Sequence, residues 1–391
     1  MDIFTKCNTD YVDEAMAAGL YPYFHTLQSR QDVEVIMEGK RRIMLGSNNY
    51  LGLTVHPRVT EAARRAVDKY GSGCSGSRFL NGTLDLHVQL EEELASFTGK
   101  EDAVIFSTGF QSNLGIISAL AGRGDYTVCD RENHASIYDA CKLSYAKMLR
   151  YRHNDMADLE RVLQSIPDGA GILIITDGVF SMSGDICDLE NIVKLSKQYG
   201  ARIMIDDAHS LGVLGQGGRG TASHFNLTDE VDIIMGTFSK SLASLGGFMA
   251  TSRRVAQYVR HTSRPFIFSA SITPASAASA LEALRILKET PKLPLRLLQL
   301  SSYMREALTQ RNVKIRTSAT PIIPIYTYEQ EPTMLINKRL YDEGLYVNMV
   351  LPPATSPGEC LLRTSYMASH TEALLDEAAD IIKKVLVEHG L

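Results

Sequence analysis

The sequence predicts an α/β fold: a large, mostly parallel sheet between helices, followed by a smaller α+β unit toward the C-terminus. Three observations carry this reading. From about Glu101, seven short runs rich in Val, Ile or aromatic residues follow one another. They are apolar on both faces, the mark of strands buried on both sides. Helical patterns separate several of them, which is the βαβ signature of a parallel sheet.

In chain order the seven strand candidates are "AVIFST" (103–108), "YTVCD" (126–130), "MLRYRH" (148–153), "GILIITDGV" (171–179), "ARIMIDDAH" (201–209), "VDIIMG" (231–236) and "GFMATS" (247–252). "DLERVLQSI" (158–166) and "DLENIVKLSKQYG" (188–200) supply helices between them, the second stopped by Gly200. After about residue 290 crossover helices thin out. "KIRTS" (314–318), "IIPIYTY" (322–328), "LYVNMVL" (345–351) and "CLLRTSY" (360–366) read as strands of a partly antiparallel sheet, closed by a helix in "HTEALLDEAADIIKKVLVEHG" (370–390). The expected division is an N-terminal segment over 1–50, a large domain over 51–290 and a small domain over 291–391. The first segment is expected to join the small domain or to lie across the large one.

Bulk properties narrow the function classes. A hydrophobic content of 45% and a length of 391 residues supply ample core. A formal net charge of -5 argues against a general nucleic-acid-binding surface. No apolar stretch approaches the ~20 residues of a membrane helix, and the N-terminus lacks the layout of a signal peptide. Six cysteines, at 7, 74, 129, 141, 187 and 360, form no C-x-x-C pair, so neither structural zinc nor a disulfide framework is expected. The expectation is a cytoplasmic protein, with peripheral association with the inner membrane left open.

In open α/β sheets, ligands collect beyond the carboxyl ends of the strands. Polar residues that directly follow the apolar runs are Ser107, Thr108, His134, Ser181, Asp206, His209, Thr237, Ser239 and Lys240. Each alone has a plain structural reading: a turn former, a helix cap or a solvated charge. Their shared strand-end position is what points to a site. A desolvated amine loses pKa and forms imines. Hydroxyls and helix-start amides bind phosphate, and a buried carboxylate keeps a pyridine nitrogen protonated. Aldehyde, phosphate and pyridine together describe pyridoxal 5'-phosphate. Two other motifs are weaker. "GQGGRG" (Gly215, Gly217, Gly220) matches a dinucleotide fingerprint but lacks its strand–turn–helix context. Asp206, Asp207 and His209 could serve a metal-dependent hydrolase, yet no partner cluster of ligands accompanies them; no metal is expected.

The order of "SNNYLGL", "STGFQSN", "DRENHAS", "IMIDDAHSLGVLGQGGRG", "IIMGTFSKSLASLGGF", "FIFSASITP" and "LLRTSYMASHT" resembles the α-oxoamine synthases, over nearly the whole chain. The resemblance implies a pyridoxal-phosphate-dependent transferase of fold type I, acting as a homodimer with active sites at the subunit interface. It implies Lys240 as the Schiff-base lysine, Asp206 as partner of the pyridine nitrogen, His134 stacked on the ring and His209 on the phenolic oxygen. Gly109, Phe110 and Thr237 fall where the family grips phosphate, and Ser181 at another cofactor contact. Ser269 and Ala270 match a segment given by the neighbouring subunit, and Arg363 the arginine that holds the amino-acid carboxylate. Within the family, "YPYF", "GTFSKS" and "LPPATSPG" are most similar to the bacterial branch that joins L-serine to a long-chain acyl-CoA. The glycine C-acetyltransferase and 8-amino-7-oxononanoate synthase branches are the alternatives.

Overall fold

A computed structural model describes residues 2–352 and 354–391. Near the N-terminus, β1 (Glu34–Met37) and β2 (Lys40–Met44) form a hairpin turned at Gly39, whose φ of 74° suits glycine. Seven strands then appear where the apolar runs place them: β3 (Asp102–Phe106), β4 (Tyr126–Asp130), β5 (Lys147–Tyr151), β6 (Ile172–Asp177), β7 (Arg202–Asp206), β8 (Ile233–Thr237) and β9 (Gly247–Thr251). They form one sheet in the order β3-β9-β8-β7-β6-β4-β5. Only β9 runs antiparallel to its neighbours.

Side chains of alternate strand residues divide between two cores. Ile105, Val128, Ile174, Ile205 and Ile234 pack on one face of the sheet, and Val104, Cys129, Ile175, Met204 and Met235 on the other. This is the period-two geometry of a strand covered on both sides. The register aligns Asp177 with Asp206, and Asp206 with Met235, at the carboxyl ends of β6, β7 and β8. Helix starts lie at the same edge. Thr108 caps the helix Gly109–Leu120 by accepting the Gln111 N–H, and His134 caps the helix Ala135–Leu143. The helix Leu189–Tyr199 stops at Gly200, which adopts φ 64°.

Toward the C-terminus, β10 (Ile322–Tyr328), β11 (Leu345–Tyr346), β12 (Asn348–Val350) and β13 (Cys360–Ser365) divide between two small sheets. One is the antiparallel β10-β13-β12; in the other, β11 lies parallel to β2, so the N-terminal hairpin joins the C-terminal part. The closing helix spans Glu372–Glu388. Two strand expectations are corrected. Residues 345–351 break at Val347, whose carbonyl accepts from Asn337 Nδ2 at 3.1 Å, and the halves enter different sheets. Residues 314–318 form only a bridge, Ile315 with Ile325. There Arg316 reaches Asp185 at 2.6 Å and Ser318 reaches the Gly184 carbonyl at 3.0 Å, so polar groups of this segment anchor a neighbouring turn. Among the described residues no helix is long and apolar enough to cross a membrane.

Candidate active site

A cavity of about 210 Å³ opens beyond the carboxyl ends of the central strands. Of the residues singled out in the sequence, Thr108, Gly109, Phe110, His134, Asp206, His209, Thr237, Ser239 and Lys240 line it. Lys240 comes from the turn between β8 and β9. Burial pushes its amine down to about 8, against the opposing pull of Asp206, with Arg363 adding to the fall. An amine so tuned is about one-tenth free base at pH 7, far more than an ordinary lysine.

Asp206 is buried, and its carboxylate is only partly satisfied by the protein. Oδ2 accepts from Asn113 Nδ2 at 2.7 Å and Oδ1 from the Ala208 N–H at 3.0 Å. A carboxylate has about four acceptor positions, so room is left for a further N–H. Asn113 also donates to Ser136 Oγ at 2.9 Å, and Ser136 Oγ bonds His134 Nδ1 at 2.7 Å. Partial burial lowers the His134 pKa, and Lys240 lowers it further, while Asp206 raises it. His209 is pushed well below the usual imidazole value by burial and by Lys240 and Arg363, so its ring is neutral. Its Nδ1 lies 2.6 Å from the Tyr50 hydroxyl. Asp177 sits on Asp206's other side, and burial together with that neighbouring charge raises its carboxyl well above the normal range.

The opposite wall presents hydrogen-bond donors of the kind that suit an anion. The first helical amides, Gly109 and Phe110, have no acceptor within their own helix. Gly109 presses against Thr237: a Cβ there would lie 2.9 Å from Thr237 Oγ1. Thr237 Oγ1 and Ser239 Oγ stand 2.9 Å apart at this edge.

Five sequence-singled residues lie elsewhere. Ser107 turns its hydroxyl to the Ala270 carbonyl, 2.5 Å away. Ser269 and Ala270 line a separate hollow with Ser107 and Arg78. Ser181 lines a larger cavity of about 650 Å³, which shares His134 as a wall. Arg363 is buried behind the site, its Nε donating to the Ser181 carbonyl at 2.5 Å and its Nη2 to Asn48 Oδ1 at 2.9 Å and Tyr50 at 3.3 Å. It has no carboxylate partner among the described residues. Asn113, Ser136, Asp177 and Tyr50 are the site residues that the sequence reading did not single out. Asn113 and Tyr50 stand inside quoted motifs, one turn into "GFQSN" and at the centre of "SNNYLGL". Among the described residues no group of three or more His, Cys, Asp or Glu is placed to hold a metal ion.

The family model described as aminotransferase class I and II matches residues 40–382. The chain belongs to this family. Among its curated members, serine palmitoyltransferase of Sphingobacterium spiritivorum is 51% identical over 96% of this chain and 94% of its own. The 8-amino-7-oxononanoate synthase of Geobacter sulfurreducens is 44% identical over 95% of this chain and 96% of its own. A solved serine palmitoyltransferase structure with a pyridoxal phosphate internal aldimine superposes with a TM-score of 0.97 at 36% identity, each chain fully covered. The fold is thus the type I fold of pyridoxal-phosphate transferases, and the chain lies in the α-oxoamine synthase group of the aminotransferase class I and II family.

Proposed function

We propose that this chain is a pyridoxal-phosphate-dependent acyltransferase that condenses L-serine with palmitoyl-CoA, giving 3-oxosphinganine, CoA and CO2. The observation that carries the reading is one cavity holding Lys240, Asp206 and the amides of Gly109 and Phe110, with buried Arg363, which has no carboxylate partner among the described residues, linked to it through Tyr50 and His209. The choice within the group follows the relatives: serine palmitoyltransferases at 46–51% identity stand above 8-amino-7-oxononanoate synthases at 40–44%.

The residues present fit the cofactor. Gly109, Phe110 and Thr237 would hold its phosphate, Asp206 its ring nitrogen, His209 its phenolic oxygen, and His134 its ring face. When bound, the cofactor supplies an electron sink for charge developing at the amino acid's α-carbon. Lys240 Nζ would hold the cofactor's aldehyde and move the α-proton, a role suited to an amine lowered to about 8. Arg363 supplies the positive charge that fixes the serine carboxylate, a bidentate task suited to a planar guanidinium. The larger cavity beyond His134, with Tyr138, Met182, Val350 and Leu361 on its walls, receives the acyl thioester. His134 stands between the two substrates and donates a hydrogen bond there. Ser181 contacts the site from that side. Ser269 and Ala270 complete the site of the other subunit in a homodimer. The six free cysteines fit a cytoplasmic setting.

The test compares CoA release with serine, glycine and alanine against short- and long-chain acyl-CoAs. Serine with palmitoyl-CoA is expected to give the highest kcat/KM, and preference for alanine or a short chain would overturn the substrate assignment. Lys240→Ala is expected to abolish turnover and the visible absorbance of the cofactor–lysine adduct.

A further inference from the structure

The glycine-rich stretch Gly212–Gly220, which is no dinucleotide fingerprint, lies directly behind the lysine turn. Gly212 adopts φ +77°, and a Cβ added to it would stand 2.5 Å from Ser241 Cβ and 2.7 Å from Ser241 Oγ. Ser241 follows Lys240 in the chain and is fully buried. Backbone bonds close the loop on itself: Gly212 N–H to the Gly218 carbonyl at 2.7 Å, and Gly220 N–H to the Leu214 carbonyl at 2.9 Å.

Asp207 fastens the far end of this loop. It is completely buried, and its Oδ2 accepts the Thr221 N–H at 3.0 Å. Thr221 Oγ1 donates to Ser210 Oγ at 2.8 Å. Gly220 is bare because any Cβ would overlap Asp207 Oδ2. Gly178 is bare for a related reason, since a Cβ there would strike Thr221 Oγ1, Asp207 Oδ1 and Ser210 Oγ together. Gly178 N–H in turn donates to the Asp206 carbonyl at 2.8 Å. The carboxylate therefore joins the strand end that bears Asp206 to the loop that backs Lys240.

We propose that Asp207 is a positioning residue: it latches the Gly212–Gly220 loop behind Ser241 and so sets where Lys240 stands relative to Asp206. This rests on the reading of Lys240 as the reactive amine, and it gives the glycine motif a task in the reaction without any nucleotide.

The test uses the full-length chain without cofactor. Reductive methylation of Lys240 is followed against pH by peptide mass spectrometry, and each variant's Tm is measured alongside. Gly212→Ala and Asp207→Asn are both expected to shift the Lys240 midpoint upward by about half a unit or more as the amine gains water. Gly217→Ala is the control. It carries a similar left-handed backbone cost (φ +63°), but a Cβ there meets only Pro291 at 3.8 Å. It is expected to lower Tm and leave the midpoint in place. Adding Ser241→Gly to Gly212→Ala removes the collision and should restore the midpoint. An unmoved midpoint in Gly212→Ala or in folded Asp207→Asn, or an equal shift in Gly217→Ala, overturns the latch; if Asp207→Asn does not fold, the Gly212 pair with its rescue decides. Turnover plays no part in this readout, so the substrate comparison and the latch can fail separately.

Discussion

A lysine that keeps its proton up to pH 10.5 is a poor nucleophile in neutral solution, and burying it costs stability while it stays charged. Lys240 meets both conditions, with its amine pushed down to about 8 chiefly by burial. Between pH 8 and 10.5 the unfolded chain holds this proton and the folded chain does not, so folding stability from this group rises with pH across that window and is lowest below it. Lys240→Met should therefore stabilise the cofactor-free protein at pH 7, by up to about 3 kcal/mol. The difference should shrink as pH approaches 10. Denaturant unfolding of both proteins at pH 7 and pH 9.5 checks this, and a pH-independent difference would rule it out. Arg363 illustrates the opposite arrangement, a buried guanidinium with no carboxylate among the described residues. Removing it should leave cofactor absorbance intact and raise KM for the amino acid on the order of a hundredfold. An unchanged KM in Arg363→Ala would dismiss its substrate role.

At the level of elements, the site is a meeting of strand ends and helix starts. The chain Asp206–Asn113–Ser136–His134 ties the end of β7 to the first turns of two helices. On the proposed function, Asp206→Asn removes the charge that would keep a ring nitrogen protonated and should lower kcat by about 10²-fold or more. Asn113→Ala removes only one of its hydrogen bonds and should cost about tenfold, roughly one neutral-to-charged bond. Steady-state kinetics on the two variants orders them, and a larger loss in Asn113→Ala would reverse the roles. The seven central strands were legible in the sequence because strands buried on both faces are unbroken apolar runs. Lys240 and Asp206 were legible because they stand directly at the ends of such runs. Asn113 was not, since its meeting with Asp206 depends on how a helix packs over the sheet, 93 residues apart in sequence. The contact of Tyr50 with His209 spans 159 residues, and that with Arg363 spans 313, beyond the reach of any local spacing rule. The 314–318 segment misled for the reverse reason. Its composition is that of a strand, but Arg316 and Ser318 bond to the Gly184 turn, a partner that the local pattern does not reveal.

At the scale of the molecule, several large apolar side chains are left exposed, two of them at the cavity. Phe110 and Leu245 line the cavity and are 44% and 56% exposed, while Leu80 and Phe268 are 77% and 78% exposed. Leu80 and Phe268 belong to segments joined by the bridge between Ser77 and Ala270. Exposed apolar side chains gathered in this way mark surfaces that another chain covers. In its own subunit the Ser269–Ala270 segment lines a different hollow, and the proposed homodimer places that segment at the partner's cavity. The arrangement makes a quantitative prediction for mixed subunits. Lys240→Ala removes the amine from one subunit's own cavity, and Ala270→Arg would block the cavity of its partner. Each homodimer is inactive, yet a hybrid keeps one complete site: the native Lys240 of the Ala270→Arg subunit, facing the native Ala270 of the Lys240→Ala subunit. Random reassortment of equal amounts should recover about a quarter of wild-type sites. Recovery near that level supports sites shared across a two-fold axis. If the Ala270→Arg homodimer is fully active, or if mixing recovers nothing although hybrids are detected by native mass spectrometry, each subunit has no need of its neighbour's segment.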